Sequence, residues 1–173
     1  VKFIPIKLDD CLMPTILMQT LYIDVYGQGP EFAVRQMIDV VNGNNTFISG
    51  VQKFENIRGE LRIISKFELK LTIHAIAYSE PISRYYILTH NNEGEISYNV
   101  LGESMLQTGF DKNIKSNNDF ITNAIYLGIN RSVTPSFPIE VSLKSKNKPI
   151  SFNGALRQVS LSEWVSFPII DLR

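Results

Sequence analysis

A single cysteine in 173 residues rules out an internal disulfide and leaves no thiolate set for a metal cluster within the chain. A reducing, cytoplasmic setting is the expectation. No apolar run approaches the roughly 18 residues of a membrane-spanning helix, so no membrane partner is expected. The basic, apolar and small-residue regions of a signal peptide are missing from a start that is Val1 rather than methionine, and the chain reads as trimmed from a longer one. An excess of either charge is missing too, since 17 basic and 17 acidic residues cancel. That balance leaves no global field to draw nucleic acid or anionic lipid. Histidine is scarce, with His74 and His90 far from any carboxylate cluster, which makes a weak metal signal. Internal repeats and low-complexity tracts are absent.

What is present falls into two unlike stretches. In the first, Phe3-Ile4-Pro5-Ile6 and "LYIDV" (Leu21 to Val25) are short, apolar, β-branched runs that suit buried strands of a parallel sheet. About a dozen residues separate them, near the minimum for a parallel crossover, and Pro14 is placed to start a short helix there. Pro5 cannot donate to a ladder, so its strand should lie at an edge or present Pro5 where no donor is needed. "GPEFAVRQMIDVVNG" then predicts a helix, with Pro30 at its first position, Glu31 in its first turn and Gly43 just past its end. Its stripe of Ala33, Val34, Met37, Ile38 and Val41 should be buried, leaving Arg35, Gln36 and Asp39 to water.

The order "FIPIKLDDC", a proline, "LYIDV" and the amphipathic helix resembles the C-terminal half of a Toll/interleukin-1 receptor (TIR) domain of the bacterial kind. The resemblance covers about Lys2 to Asn44, a quarter of the chain. It implies the end of a flavodoxin-like parallel sheet, and a parent activity of NAD+ hydrolysis. The catalytic glutamate that the family uses would precede Phe3, so no catalytic residue is assigned here and NAD is the substrate of the complete domain only. Asp9 and Asp10 lie in the loop where ligands approach open α/β sheets and are the cofactor-contact candidates; aspartates in such loops more commonly form turns or caps. Cys11 lacks a nearby base, and its two aspartate neighbours disfavour a thiolate, which favours a structural thiol. TIR enzymes typically become active when neighbouring domains stack. Asp10, Cys11, Pro14 and Arg35 are therefore the assembly candidates, with self-association or a chain carrying the missing TIR half as the implied partner.

From Gly59 the period changes to two. Leu69, Leu71, Ile73, Ala75 and Ala77 alternate with Lys70, Thr72, His74, Ile76 and Tyr78. "SRYYILTHNNEGEISYNV" reads as two strands around "NNEG", and three later segments supply more. Seven or eight strands without a convincing long helix predict a β-sandwich or jelly roll over 59–173, after a linker at 45–58. "GFDKNIKSNND" (Gly109 to Asp119) is the most polar loop. Tyr85, Tyr86, Tyr98, Phe110, Tyr126, Phe137 and Trp164 would stack sugars or bases if they shared a face, and would otherwise be core.

Three functions compete on this reading. The chain is the rear of a TIR effector for defence or cell suicide, whose β-domain senses a small-molecule or protein trigger or drives assembly. Alternatively it is a non-enzymatic module binding a carbohydrate, nucleotide or protein, or a structural sandwich of a virion or appendage.

Overall fold

The computed structural model describes residues 3–9, 22–44, 54–115 and 121–172. The chain divides into two compact units, Val1–Asn56 and Ile57–Arg173.

In the first unit β1 (Ile6–Lys7) pairs in parallel with β2 (Ile23–Asp24). Pro5, lacking an N–H, contributes only its carbonyl, which accepts Ile23 N–H at 2.9 Å. Both strands are shorter than the apolar runs that announce them. Val25 already begins the one-turn helix α1 (Val25–Gln28), because Asp24 caps it by accepting Gly27 N–H at 2.8 Å. Ile23 is buried, but Ile6 is exposed, so the expected burial holds for the second strand and not for the first.

Helix α2 (Pro30–Val41) begins and ends as its punctuation predicts. Gly29, at φ 85°, takes a conformation that side chains disfavour, and Pro30 sets the first turn. At the far end the N–H groups of Gly43 (φ 80°) and Asn44 donate to Val40 O and Asp39 O, the two bonds of a Schellman stop. Its buried face differs from the expected one. Ala33 and Gln36 are buried and Met37 is half-buried, while Val34, Ile38 and Val41 are exposed, Val41 by 77%. The helix is turned by one residue, about 100°. Phe32, Met37 and Val40, half-buried beside Ala33, give that side an apolar stripe of its own.

The second unit holds ten strands among the described residues: β3 (Ile57–Ser65), β4 (Glu68–Ala75), β5 (Arg84–Thr89), β6 (Ile96–Val100), β7 (Leu106–Lys115), β8 (Ile121–Ile129), β9 (Ile139–Ser145), β10 (Phe152–Gln158), β11 (Trp164–Ser166) and β12 (Ile169–Leu172). They form two five-stranded sheets, β12-β3-β4-β9-β6 and β11-β10-β5-β8-β7, packed face to face as a β-sandwich. The alternation in β4 is the one the sequence announces: Leu69, Leu71, Ile73 and Ala75 are buried against Ile87, Ile125 and Leu127 of the opposite sheet.

Three expectations are corrected. The sandwich begins at Ile57 rather than 59, and Phe54 N–H, inside the expected linker, donates to Gly27 O of the first unit. The polar stretch from Gly109 to Lys115 is not a loop but most of β7, an edge strand held by its ladder with β8. Asn113, at φ 55°, marks the irregularity between Asp111 and Ile114 that bends this edge. Finally, β5 and β6 flank their turn as expected, but they belong to opposite sheets.

Candidate binding site

Strand register brings four connections to one end of the sandwich: 76–83, 101–105, 130–138 and 159–163. Three of them are tied to one another, and the fourth is braced by the strand end that it leaves. Glu80 and Val133 exchange backbone bonds of 2.8 and 3.0 Å, and Ile129 N–H donates to Ser83 O at 2.9 Å. Gln158, a buried side chain at the end of β10, donates from Nε2 to Leu161 O at 3.2 Å and so shapes the last loop. Arg131 ties two loops at once. Its Nε donates to Glu103 Oε1 at 2.7 Å, and its Nη1 and Nη2 donate to Phe137 O and Pro138 O at 2.9 and 2.7 Å.

Two open cavities lie between these loops, of about 570 and 450 Å³, and they share Arg84, Ile129 and Asn130. Ser83, Gln158 and Leu161 help to line the larger, and Met105 and Gln107 the smaller. Arg84 stands where they meet, its Nη1 donating to Gln158 Oε1 at 3.1 Å. The loops also carry Ile82, Leu101, Met105, Phe137 and Leu161, exposed by 41% at the least and 92% at Leu161. Of these, Ile82 and Leu161 line the larger cavity and Met105 the smaller.

Beneath the loops is a buried polar layer. The Arg157 guanidinium lies 3.8 Å from the Glu80 carboxylate, with both side chains nearly sealed from water. Burial, then the neighbouring Glu80 charge, pushes the Tyr85 phenol well above its ordinary range. The Ser83 hydroxyl lies beside the Tyr85 hydroxyl in this layer, and its contact with the phenol opposes that shift.

The aromatic candidates separate. Tyr85 is core, Tyr98 and Phe110 pack against the core from its margin, and Phe137 is on the loop rim. Tyr86, Tyr126 and Trp164 do share the outer face of the β11-β10-β5-β8-β7 sheet, with ring centroids 4.3 to 6.3 Å apart. Their planes are inclined by 42° to 75°, so the rings turn edges and faces to one another rather than forming a flat platform. Tyr126 folds over Gly128, where an added Cβ would meet its hydroxyl at 2.8 Å. Tyr86 donates to Asp111 Oδ2 at 2.6 Å; burial and then this bond push its phenol up to about 12.

Of the other sequence candidates, Asp9 and Arg35 are exposed, and Asp10, Cys11 and Pro14 lie outside the described residues. His74 Nε2 is 3.9 Å from Glu60 Oε1 on the neighbouring strand, and His90 is exposed. Among the described residues no group of three His, Cys, Asp or Glu side chains is placed to hold a metal ion, and no helix is long and apolar enough to cross a membrane. Sequence reasoning missed Arg84, Ser83, Asn130, Gln158 and the apolar rim. The one signal was an apolar residue set inside turn-rich segments, as in "EPIS", "PSFP" and "SLSE".

No family model matches the chain, and no curated protein matches it. Among solved structures it is similar to a cohesin module from a Clostridium perfringens ATCC13124 family 33 glycoside hydrolase. The likeness covers 68% of this chain and 97% of that one, at 14% identity and a TM-score of 0.36.

Proposed function

We propose that the chain is the recognition end of a TIR-type effector: residues 2–44 close the TIR-like domain, and the sandwich is a non-enzymatic module that binds a trigger with its loop end. One observation carries the binding half of this reading. Three of the four loops are cross-tied by Arg131 and the Glu80–Val133 bridge, the fourth is braced by Gln158, and together they present exposed Ile82, Leu161 and Met105 at the walls of two open cavities that share Arg84. A rigid sandwich that presents fixed loops loses little conformational freedom on binding, which favours affinity. The TIR half is supported by the residue order from Phe3 to Asn44, with β1 parallel to β2 and a capped helix after them.

The test uses the complete protein, with its upstream sequence restored, expressed in bacteria that are then challenged with phage. Cellular NAD+ should fall on challenge with the natural protein and hold steady with Ile82→Asp or Leu161→Asp at equal expression. Unchanged NAD+ under every challenge would overturn the TIR half. An undiminished response from both variants would overturn the binding half.

A further inference from the structure

We infer that the outer face of the β11-β10-β5-β8-β7 sheet stacks a neutral saccharide unit on Tyr126. The inference rests on the sandwich being a binding module, and it names the chemistry taken there. Register lays this face out in rows that cross the sheet. One row carries Gln158, Arg84, Gly128 and Gln107 on successive strands, with Trp164 beside Gln158 at the edge. The next carries Leu156, Tyr86, Tyr126 and Gly109. Gly128 is therefore a gap between two long polar side chains, whose strands lie two ladder spacings apart, about 10 Å, room for one pyranose ring. Tyr126 forms the floor of that gap. A Cβ at Gly128 would meet its hydroxyl at 2.8 Å and its Cε1 and Cζ at 3.3 Å, so the phenol end of the ring lies over the glycine. Tyr86 and Trp164 are inclined to Tyr126 by 62° and 75°, so neither is stacked on it, and the two pack on each other at 4.3 Å beside it.

The lining around the ring suits an uncharged ligand rich in hydroxyls. The smaller cavity opens at the same gap, since Arg84, Gln107 and Gly128 line it together with Ser104 and Asn130. Ser104, Gln107 and Asn130 are exposed, neutral hydrogen-bonding groups. The charged groups beside the rings are bonded to neutral neighbours: Arg84 donates to Gln158, and Asp111 accepts from Tyr86. A pyranose has an apolar C–H face to lay on an aromatic ring and a rim of hydroxyls for amide and hydroxyl side chains to meet. A nucleic acid would need a basic groove along its phosphates, whereas this row offers one arginine, already bonded to Gln158. The outer face of the opposite sheet is of the ordinary polar kind, covered by cross-strand charge pairs of Lys144 with Glu68 and Lys70 with Glu140. The aromatic face is the exception, and it lies against a polar cavity.

Amide chemical shifts of the 173-residue chain test this, titrated with hexasaccharides of glucose, N-acetylglucosamine, mannose and galactose, and with adenosine as an aromatic probe. Saturable shifts at Gln107, Tyr126 and Gly128 are expected with at least one saccharide. Tyr126→Leu should weaken that binding about tenfold or more, while Tyr126→Phe, which keeps the ring, should not. Gly128→Ala should weaken it as well, because the new Cβ displaces the ring. Gln107→Ala, at an exposed position, should weaken it at an unchanged urea midpoint. Absence of saturable shifts with every saccharide, a response to adenosine alone, or undiminished binding by both Tyr126→Leu and Gln107→Ala would overturn the inference. None of these results would touch the NAD+ response of the Ile82 and Leu161 variants, so the two readings fail separately.

Discussion

Arg131→Ala asks whether the loop end is held in place before any ligand arrives. The guanidinium makes four hydrogen bonds, to Glu103 Oε1 at 2.7 Å, Ser132 O at 3.1 Å, Phe137 O at 2.9 Å and Pro138 O at 2.7 Å. Truncation removes all four and strands Glu103, whose side chain is only 15% exposed. A hydrogen bond to a charged group contributes about 1.5–3 kcal/mol when sequestered. The Arg131 side chain is 30% exposed, however, so water replaces part of what is lost, and such bonds do not add. A total of about 2–3 kcal/mol follows. Urea unfolding followed by tryptophan fluorescence reads this directly, because Trp164 is the sole tryptophan and lies in the sandwich. The midpoint should fall with the slope unchanged. Arg131→Lys should restore less than half of the loss, since an ammonium keeps the attraction to Glu103 but cannot span the carbonyls of both Phe137 and Pro138. A cost below about 0.5 kcal/mol, the range of an ordinary surface substitution, would refute the idea that Arg131 fastens these loops.

Leu71→Ala, at a fully buried position between the sheets, should cost about 2–5 kcal/mol by the same assay. On α2, Val41→Ala should change stability by no more than about 0.5 kcal/mol, whereas Ala33→Leu should cost about 1–3 kcal/mol by overpacking; hydrogen exchange of the α2 amides would show the reverse order if the helix faced the other way. The Asn92 N–H first, then Lys148, hold the Glu95 carboxyl at about 2 rather than its ordinary 4.5. Because the folded value is the lower one, this contribution is complete above pH 4.5 and is lost as pH falls toward 2. Lys148→Ala should raise the Glu95 midpoint in a carboxyl-carbon titration, and an unmoved midpoint would remove Lys148 as a cause. The chain alone should not hydrolyse NAD+, and measurable turnover would show that the active site has been placed wrongly.

The legible parts of the fold are those in which local pattern and burial agree. β4 alternates in sequence because it alternates between core and outer face, and α2 is bounded by residues whose backbone preferences leave little choice, Gly29-Pro30 at one end and Gly43 at the other. Which side of α2 is buried was not legible. Five apolar residues cover more of its circumference than one packing face needs, and with Phe32 and Val40 beside Ala33 a second stripe one residue earlier is as apolar as the first. β7 failed for a different reason. An edge strand with Asp111, Lys112 and Lys115 carries the polarity of a loop, and it is a strand because β8 supplies its partner groups.

The candidate site was hidden because topology, not spacing, assembles it. Ser83 precedes β5 and Arg84 begins it, Asn130 follows β8 and Gln158 ends β10, so 75 residues separate the first from the last in sequence while hydrogen-bonded register sets their strands side by side. No periodicity reports a cross-sheet neighbour when the intervening chain visits both sheets. Arg84 and Arg131 look alike in sequence, each beside a serine. Only their partners distinguish them. Glu103 and two carbonyls make Arg131 a fastener, whereas Arg84 donates to the neutral Gln158 Oε1 at an exposed position. Arg84→Gln set beside Arg131→Ala measures that difference in the urea assay: the first, at an exposed position with one neutral bond, should stay within about 0.5 kcal/mol of the natural chain, and the second should cost about 2–3 kcal/mol, so equal losses would show that the four bonds of Arg131 do not set it apart.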